Sequence, residues 1–214
     1  MTSDPTPDGS ARGATPRTSA RTSAVDSEFR GLDRTDLGGW LAEHSGVLAS
    51  RWLLDVDARA GGLEPEVKAL LGEFFDELLV LLPACLGPYR AQVEPYWRQC
   101  AELYGSVGAM RGLAAGEIID EFQLLREATL RLMFATPPSV RGTPMLLREV
   151  LRLNRVIDRG VTFANVGHTD ALFFALFHGT GVPTSLASDQ LEEVRDQLGT
   201  LRGEVRRILA HLRT

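Results

Sequence analysis

Residues 113–135 carry the apolar pattern that most constrains how this chain can fold. At 100° per residue, six apolar side chains share one broad arc of an α-helix: Ile118, Ile119, Phe122, Leu125, Leu132 and Met133. Three more apolar residues lie outside that arc, namely Leu124, Leu130 and Phe134. Because a helix that is apolar on several sides is usually covered on several sides, we expect it to be the central helix of an all-α domain.

Two charged residues, Arg126 and Glu121, interrupt the apolar arc of this helix. An unpaired charge on a buried face costs several kcal/mol. We therefore expect Arg126 to form a structural ion pair with a carboxylate from a neighbouring helix. The alternative is that the pair lines a ligand pocket or a signalling interface, because perturbed charges cluster at such places.

Helical spacing of apolar residues continues over most of the chain and predicts a multi-helix bundle. Residues 1–28 are rich in Ser, Thr, Pro and Gly, with almost no large apolar side chain, and we expect a disordered tail there. Residues 29–182 should form the helical domain. Residues 183–214 should form a separate C-terminal coiled-coil helix.

Composition excludes several classes of function. The chain has 214 residues, 44% apolar content and a net charge of -5, which offers no basic patch for nucleic acid or an anionic membrane. The longest apolar run, residues 78–86, is too short to cross a bilayer. Two cysteines and no signal-peptide pattern predict a soluble protein of the reducing cytoplasm, and whether Cys85 and Cys100 pair stays open.

Two local features each allow two interpretations. Gly105, Gly108 and Gly112 permit either a close helix crossing or a break in the chain before residues 113–135. Residues 171–177, ALFFALF, are apolar on every side of a helix, so they either insert into the core or meet a partner chain.

His44 and His168 lie on the apolar faces of two predicted helices. A lone histidine on such a face is most often a hydrogen-bonded core residue, which is our leading expectation for both. The alternative is a haem or other cofactor ligand. No cofactor and no metal site are expected under the leading interpretation.

The last segment has the strictest pattern in the chain. Its apolar residues alternate steps of three and four, as the a and d positions of a coiled coil do: Leu191, Val194, Leu198, Leu201, Val205, Ile208 and Leu212. Three heptads are short, and Gly199 and Gly203 each weaken the helix by roughly 1 kcal/mol relative to Ala. We expect a parallel homodimer seam, with folding back onto the chain's own bundle as the alternative.

The run from Gly105 to Met133 resembles the central motif of the RsbRD-type N-terminal sensor domain. The matching residues are Arg111-Gly112, Glu117, Glu121 and Leu125-Arg126-Glu127, together with an early Trp52 and a later helix around Asp158. That domain precedes STAS domains in RsbR-like stressosome co-antagonists and precedes some bacterial histidine kinases. The resemblance covers about residues 35–180 and implies a helical sensor domain without a catalytic centre, with a globin-like arrangement as an alternative to a simple bundle.

The resemblance, together with the heptad seam, predicts a non-enzymatic bacterial signalling, sensor or adaptor protein that relays a stress or ligand signal through helix packing and C-terminal dimerisation. Neither a STAS domain nor a kinase core follows the helical region, so a separate STAS, kinase or regulator protein, or the homodimer itself, would receive the signal. The alternative function is a haem or other small-molecule cofactor-binding helical protein. Catalysis is not expected, because the sequence contains no Glu-x-x-His, G-x-S-x-G, P-loop or C-x-x-C motif.

Overall fold

The computed structural model describes residues 36–140, 143–144, 147–179, 181 and 186–212. They form six helices: α1 (Asp36–Arg59), α2 (Pro65–Leu86), α3 (Arg90–Met110), α4 (Ala115–Ala135), α5 (Leu147–Phe177) and α6 (Ser188–His211). Between α4 and α5, β1 (Ser139–Val140) and β2 (Thr143–Pro144) pair as a minimal antiparallel hairpin. The predicted all-α helix bundle is confirmed, and the predicted tail of residues 1–28 lies outside the described residues.

Helix α2, rather than α4, is the most deeply enclosed element. The helix begins at Pro65, a position where a backbone N–H would have no hydrogen-bond partner within the helix. Its apolar residues occupy every side, and ten of them are buried: Leu70, Leu71, Phe74, Phe75, Leu78, Leu79, Leu81, Leu82, Cys85 and Leu86. It packs against α1, α3, α5 and α6.

The expectation that α4 is the central helix is wrong. Its buried face carries Ile118, Phe122, Leu125 and Met133, but Phe134 is 87% exposed. Of the apolar residues outside the main arc, Leu124 and Leu130 are half-buried against the core, so only Phe134 lacks the predicted cover.

Helices α3 and α5 make the most extensive helix contact, and they touch backbone to backbone. A Cβ atom added at Gly105 would lie 1.8 Å from the carbonyl oxygen of Ala164, and one added at Gly167 would lie 1.9 Å from that of Glu102. The Ser106 hydroxyl also donates a hydrogen bond across the contact to the Gly167 carbonyl, 3.2 Å away. Only glycine permits this approach at both crossing positions.

Both predicted roles of the glycine series occur, at different glycines. Gly105 provides the close crossing, whereas Gly112 has φ of 76° and follows the end of α3. This left-handed conformation is the usual helix-ending use of glycine. It turns the chain from α3 into α4.

The C-terminal helix folds back onto its own chain, so the predicted parallel homodimer seam is wrong. Five seam residues are buried against α2 and α3 at 5% exposure or less: Leu191, Val194, Leu198, Leu201 and Val205. Ile208 and Leu212 are half-buried. The heptad spacing marks the face that the bundle covers, and α6 belongs to the same compact unit as the helices before it.

The last turns of α5 are exposed, so the predicted insertion of residues 171–177 into the core is also wrong. Phe173, Phe174, Leu176 and Phe177 are each more than 60% exposed, and Ala175 is buried. The other interpretation, contact with a partner chain, stays a prediction. Among the helices described, none is both long enough and apolar enough to cross a membrane.

Candidate functional site

A buried polar network joins three helices at the turn between α3 and α4. The guanidinium of Arg111 forms two hydrogen bonds with the Glu121 carboxylate, Nη2 to Oε1 at 2.9 Å and Nη1 to Oε2 at 3.3 Å. The Tyr104 hydroxyl donates to the same carboxylate. The indole Nε1 of Trp52 donates to the Glu121 backbone carbonyl at 2.6 Å. Trp52 from α1, Tyr104 from α3 and Glu121 from α4 are thus held together.

Local structure explains why these groups meet. Arg111 caps the C-terminus of α3, where its N–H donates to the Val107 carbonyl at 2.9 Å. Glu117 accepts from the Ala114 N–H at 2.8 Å and so satisfies a free donor at the start of α4. His168 on α5 donates from Nε2 to the Leu113 carbonyl at 2.8 Å. The turn is therefore fixed from α5 as well as from its own ends.

The electrostatics of the network favour a charged pair with a neutral tyrosine. Burial raises the pKa of Tyr104 well above its ordinary value, and the nearby Glu121 raises it further. Burial opposes the charged form of Arg111, but Glu121 and Tyr104 outweigh it and raise the pKa of Arg111. The arginine and glutamate side chains are 7% and 6% exposed. Bidentate pairing of this kind compensates the cost of burying both charges.

Aromatic rings enclose the network. The Trp52 ring stacks on Phe75 with centroids 3.7 Å apart, and Tyr104 meets Phe122 edge to face at 5.7 Å. Phe74 contacts the Tyr104 ring from a further side at 5.7 Å. The rings cover the network on the side of Trp52 and Tyr104, and electrostatic interactions strengthen in such low-dielectric surroundings.

Arg126 has the carboxylate partner that was predicted, but in a different setting. It pairs with Asp158 of α5, so the expectation of an ion pair to a neighbouring helix is confirmed. The arginine side chain is 23% exposed and the aspartate side chain 60% exposed, however. The two charges predicted on one apolar arc therefore separate, with Glu121 in the core network and Arg126 at the edge of the α4–α5 contact.

Both predicted histidines form hydrogen bonds with backbone carbonyls. His168 is buried and bonds Leu113, which confirms the core role. His44 is half-buried, bonds the Trp40 carbonyl through Nδ1 at 2.8 Å and stacks on the Trp40 ring. A haem iron bound through either of these ring nitrogens would break its hydrogen bond. Across the described residues, no group of three or more His, Cys, Asp or Glu could hold a metal ion.

The two cysteines are both free and buried. Burial raises the pKa of the Cys85 thiol to about 12. Burial also raises the pKa of the Cys100 thiol. Neither cysteine therefore forms a reactive thiolate near neutral pH.

A cavity of about 550 Å³ lies beside Arg111. Most of its wall is apolar, with Leu63, Val67, Leu113 and Leu191 among the lining residues. It is the place where a small molecule would approach the buried arginine most closely.

Tyr104 and Glu77 form buried polar contacts that the sequence pattern did not predict. Tyr104 shares an apolar stripe with Trp97 and Cys100, and a buried hydroxyl needs a partner. Glu77 stands inside the apolar run of α2 and is 4% exposed, with Arg202 of α6 as its partner at 3.3 Å. A polar group inside an otherwise apolar pattern was the signal in both cases.

Comparison with known proteins gives no match among protein-family models, curated proteins or solved structures.

Proposed function

We propose that the protein is a non-enzymatic signalling or adaptor module of the bacterial cytoplasm, of the RsbRD-like sensor type, that passes a stress or ligand signal to a separate protein. One observation carries the proposal. Residues that bear the resemblance also bear the interhelical polar contacts, with Trp52, Arg111 and Glu121 in one network and Arg126 paired with Asp158. A motif that was spread over more than 100 residues of sequence is concentrated at the contacts of α4.

The polar contacts suggest a path for the signal. A shift of α4 would break the bonds from Glu121 to α1 and α3 together, because one side chain and its own carbonyl make all of them. The Arg126–Asp158 pair would pass the same shift to α5. Packed interfaces of this kind switch between discrete arrangements rather than deforming continuously. Helix α5, rather than α6, is then the element whose movement carries the signal.

The pairing of the buried charges supports a non-enzymatic role. The Glu121 carboxylate accepts from Arg111 and from Tyr104, so both of its oxygens are engaged. A general acid or base must instead present a proton-accepting or proton-donating atom to a substrate. The network is suited to holding helices in register.

Binding to a candidate partner tests the proposal. Purified full-length protein is titrated by calorimetry with each STAS-domain protein, histidine kinase and response regulator from the same genome. We expect micromolar binding to at least one of them. We also expect Glu121→Gln to change that affinity, whereas Glu127→Gln on the same helix leaves it unchanged, because Glu127 pairs at the surface with Arg131.

Two outcomes would contradict the proposal. One is the absence of binding to every member of these three classes. The other is binding that is equally insensitive to Glu121→Gln and Glu127→Gln, with hydrogen exchange of α5 unchanged in both variants.

The cavity beside Arg111 favours a second candidate function, which is binding of a small molecule. The wall is mainly apolar, and its charged residues are Glu64, Glu66 and the already paired Arg111, so it suits an uncharged ligand that has an apolar body. 1-Octanol is the probe, with tryptophan fluorescence as the signal. Saturable binding that Leu63→Asp in the cavity wall abolishes and Leu54→Asp at an exposed position preserves would support this candidate. If added haemin gives no new absorption band, haem is excluded as the ligand.

A further inference from the structure

The exposed end of α5 carries the largest group of neighbouring apolar side chains that the described bundle leaves uncovered. Phe173, Phe174, Leu176 and Phe177 are 69%, 65%, 64% and 77% exposed. At 100° per residue, the three phenylalanines share one side of the helix. We call Phe173, Phe174, Leu176 and Phe177 the α5 stripe.

The α5 stripe is unusual for the surface of a monomer. With about 200 Å² for a phenylalanine and slightly less for a leucine, these exposures leave about 500 Å² of apolar area. This lies near the top of the range of the largest patches on monomeric proteins. No side chain from residue 171 to residue 177 is charged or able to form a hydrogen bond. A surface of this kind indicates an interface.

We propose that the α5 stripe pairs with the same stripe of a second copy of this chain, in an antiparallel arrangement about a twofold axis near Phe174. Two copies together would bury about 1,000 Å², which is the lower limit for a specific interface. A twofold contact uses the same patch on both chains, so a stripe without charge does not oppose itself. This dimer replaces the one that the α6 seam predicted, and it does not depend on the proposed signalling function.

The polar residues at the two ends of the stripe, a carboxylate and an imidazole that can donate a hydrogen bond to it, select the antiparallel orientation. Asp170 and His178 stand four residues before and four residues after Phe174. An antiparallel pair therefore brings Asp170 beside the partner's His178, and does so twice. A parallel pair would instead place Asp170 against the partner's Asp170, and like charges facing each other are unfavourable.

Ring contacts within one chain already order the stripe. The Phe173 and Phe177 rings stack with centroids 6.3 Å apart, and His178 lies over Phe174 at 4.1 Å and edge-on to Phe177 at 5.5 Å. Side chains held in place before association lose less entropy when the complex forms.

A membrane surface fits the stripe less well than a second copy does. Residues 166–178 contain no Lys or Arg, and their one carboxylate is Asp170. Helices that bind anionic bilayers carry basic residues beside the apolar face.

Sedimentation equilibrium of the full chain tests the dimer. We expect a dimer at micromolar concentration, and we expect Phe174→Glu or Phe177→Glu to weaken it by at least roughly 30-fold, as loss of a central interface residue does. Phe134→Glu is the matched control, because Phe134 is exposed on α4 outside the stripe. This control should stay dimeric, and all three variants should keep the wild-type melting temperature at concentrations where the wild type is monomeric, since association itself stabilises the folded chain.

A charge exchange tests the orientation. Asp170→Lys should weaken the dimer, because it removes the carboxylate that faces His178. Adding His178→Glu should restore the dimer, because each contact of the antiparallel pair then joins opposite charges. Failure of the double variant to recover would overturn the antiparallel arrangement.

Three results would overturn the dimer itself. They are a monomeric wild type at high concentration, a Phe177→Glu variant that remains dimeric, and a monomer that becomes dimeric only when residues 1–28 are deleted. Binding of a monomeric wild type to phosphatidylglycerol vesicles would assign the stripe to a membrane instead.

Discussion

Helix α6 and the last turns of α5 are both rich in apolar residues, yet one is covered by the bundle and the other is exposed. On α6 the seam from Leu191 to Val205 is buried. On α5 the residues from Phe173 to Phe177 are exposed except for Ala175. Apolar spacing therefore shows that a face needs cover, but not which surface provides it.

Polar neighbours distinguish the two regions. Arg202 of α6 contacts Glu77 of α2 at 3.3 Å, and Arg195 lies 3.6 Å from Glu73. These contacts hold α6 in one register on α2. The end of α5 has no polar side chain between Asp170 and His178 that could fix it in the same way. Charges that match across helices are thus a better indicator of an internal contact than the heptad pattern is.

The test with the largest expected effect replaces one leucine by alanine in each of the two regions. Leu198→Ala in α6 should lower the free energy of unfolding by roughly 2–5 kcal/mol, because the side chain is fully buried and leaves a cavity. Leu176→Ala at the end of α5 should change the stability of the monomer by less than about 0.5 kcal/mol. Urea unfolding at low protein concentration measures both. Equal losses of unfolding free energy in the two variants would show that the two leucines contribute equally to the stability of the monomer.

The second test compares a glycine at the contact between α3 and α5 with a glycine of α6. Gly105→Ala should destabilise the fold by about 3 kcal/mol, because the added Cβ meets the Ala164 backbone and the helices must separate. Gly199→Ala in α6 meets nothing within 4 Å, and it should instead stabilise the protein by about 1 kcal/mol through helix propensity. Thermal unfolding of the two variants should shift in opposite directions. A Gly105→Ala variant as stable as wild type would contradict the close crossing.

A third test uses pH to probe the contact between α6 and α2. Burial raises the pKa of the Glu77 carboxyl, although Arg202 acts in the opposite direction. Protonation therefore favours the folded state, and the stabilisation present below about pH 4.3 is lost as the pH rises through the folded-state pKa. Glu77→Gln removes this dependence, so its stability relative to wild type should increase between about pH 4 and about pH 8.

Urea midpoints at the two pH values measure this change. Glu73→Gln is the control, because Glu73 is much more exposed than Glu77. A relative stability of Glu77→Gln that is constant with pH would show that Glu77 titrates as it does in the unfolded chain.

The smallest expected effect is at the edge of the same contact. Arg195 and Glu73 are both more than one-third exposed, so Arg195→Ala should cost only about 0.2–1 kcal/mol. The cost should shrink in high salt because ions screen exposed pairs. Arg207→Ala on the same helix is the control, since Arg207 bonds only a carbonyl of its own helix among the bonds described. A loss above about 2 kcal/mol would mean that charge pairing, rather than apolar burial, holds α6.

The sequence was sufficient to predict the helices and some polar partners. Helical spacing predicted the all-α bundle, and the cost of an unpaired charge predicted a carboxylate for Arg126. The buried, hydrogen-bonded role of His168 was predicted from its position on the apolar face of a helix. The globin-like arrangement stays a prediction.

Choices that depend on three-dimensional neighbours could not be predicted. The pairing of Glu121 with Arg111 requires the turn at Gly112, whose geometry brings two residues ten positions apart face to face. The enclosure of α2 and the docking of α6 depend on which apolar faces compete for the same surface. Periodicity identifies each face separately and carries no information about that competition.

The backbone contact between α3 and α5 gives α5 the properties of a lever. The fulcrum lies near Ala164, and Phe177 is 13 residues further along the helix, or about 20 Å at 1.5 Å per residue. A tilt of about 5° at the fulcrum would therefore displace the tip of α5 by nearly 2 Å. Small rearrangements deep in the bundle would be magnified where the phenylalanines are exposed.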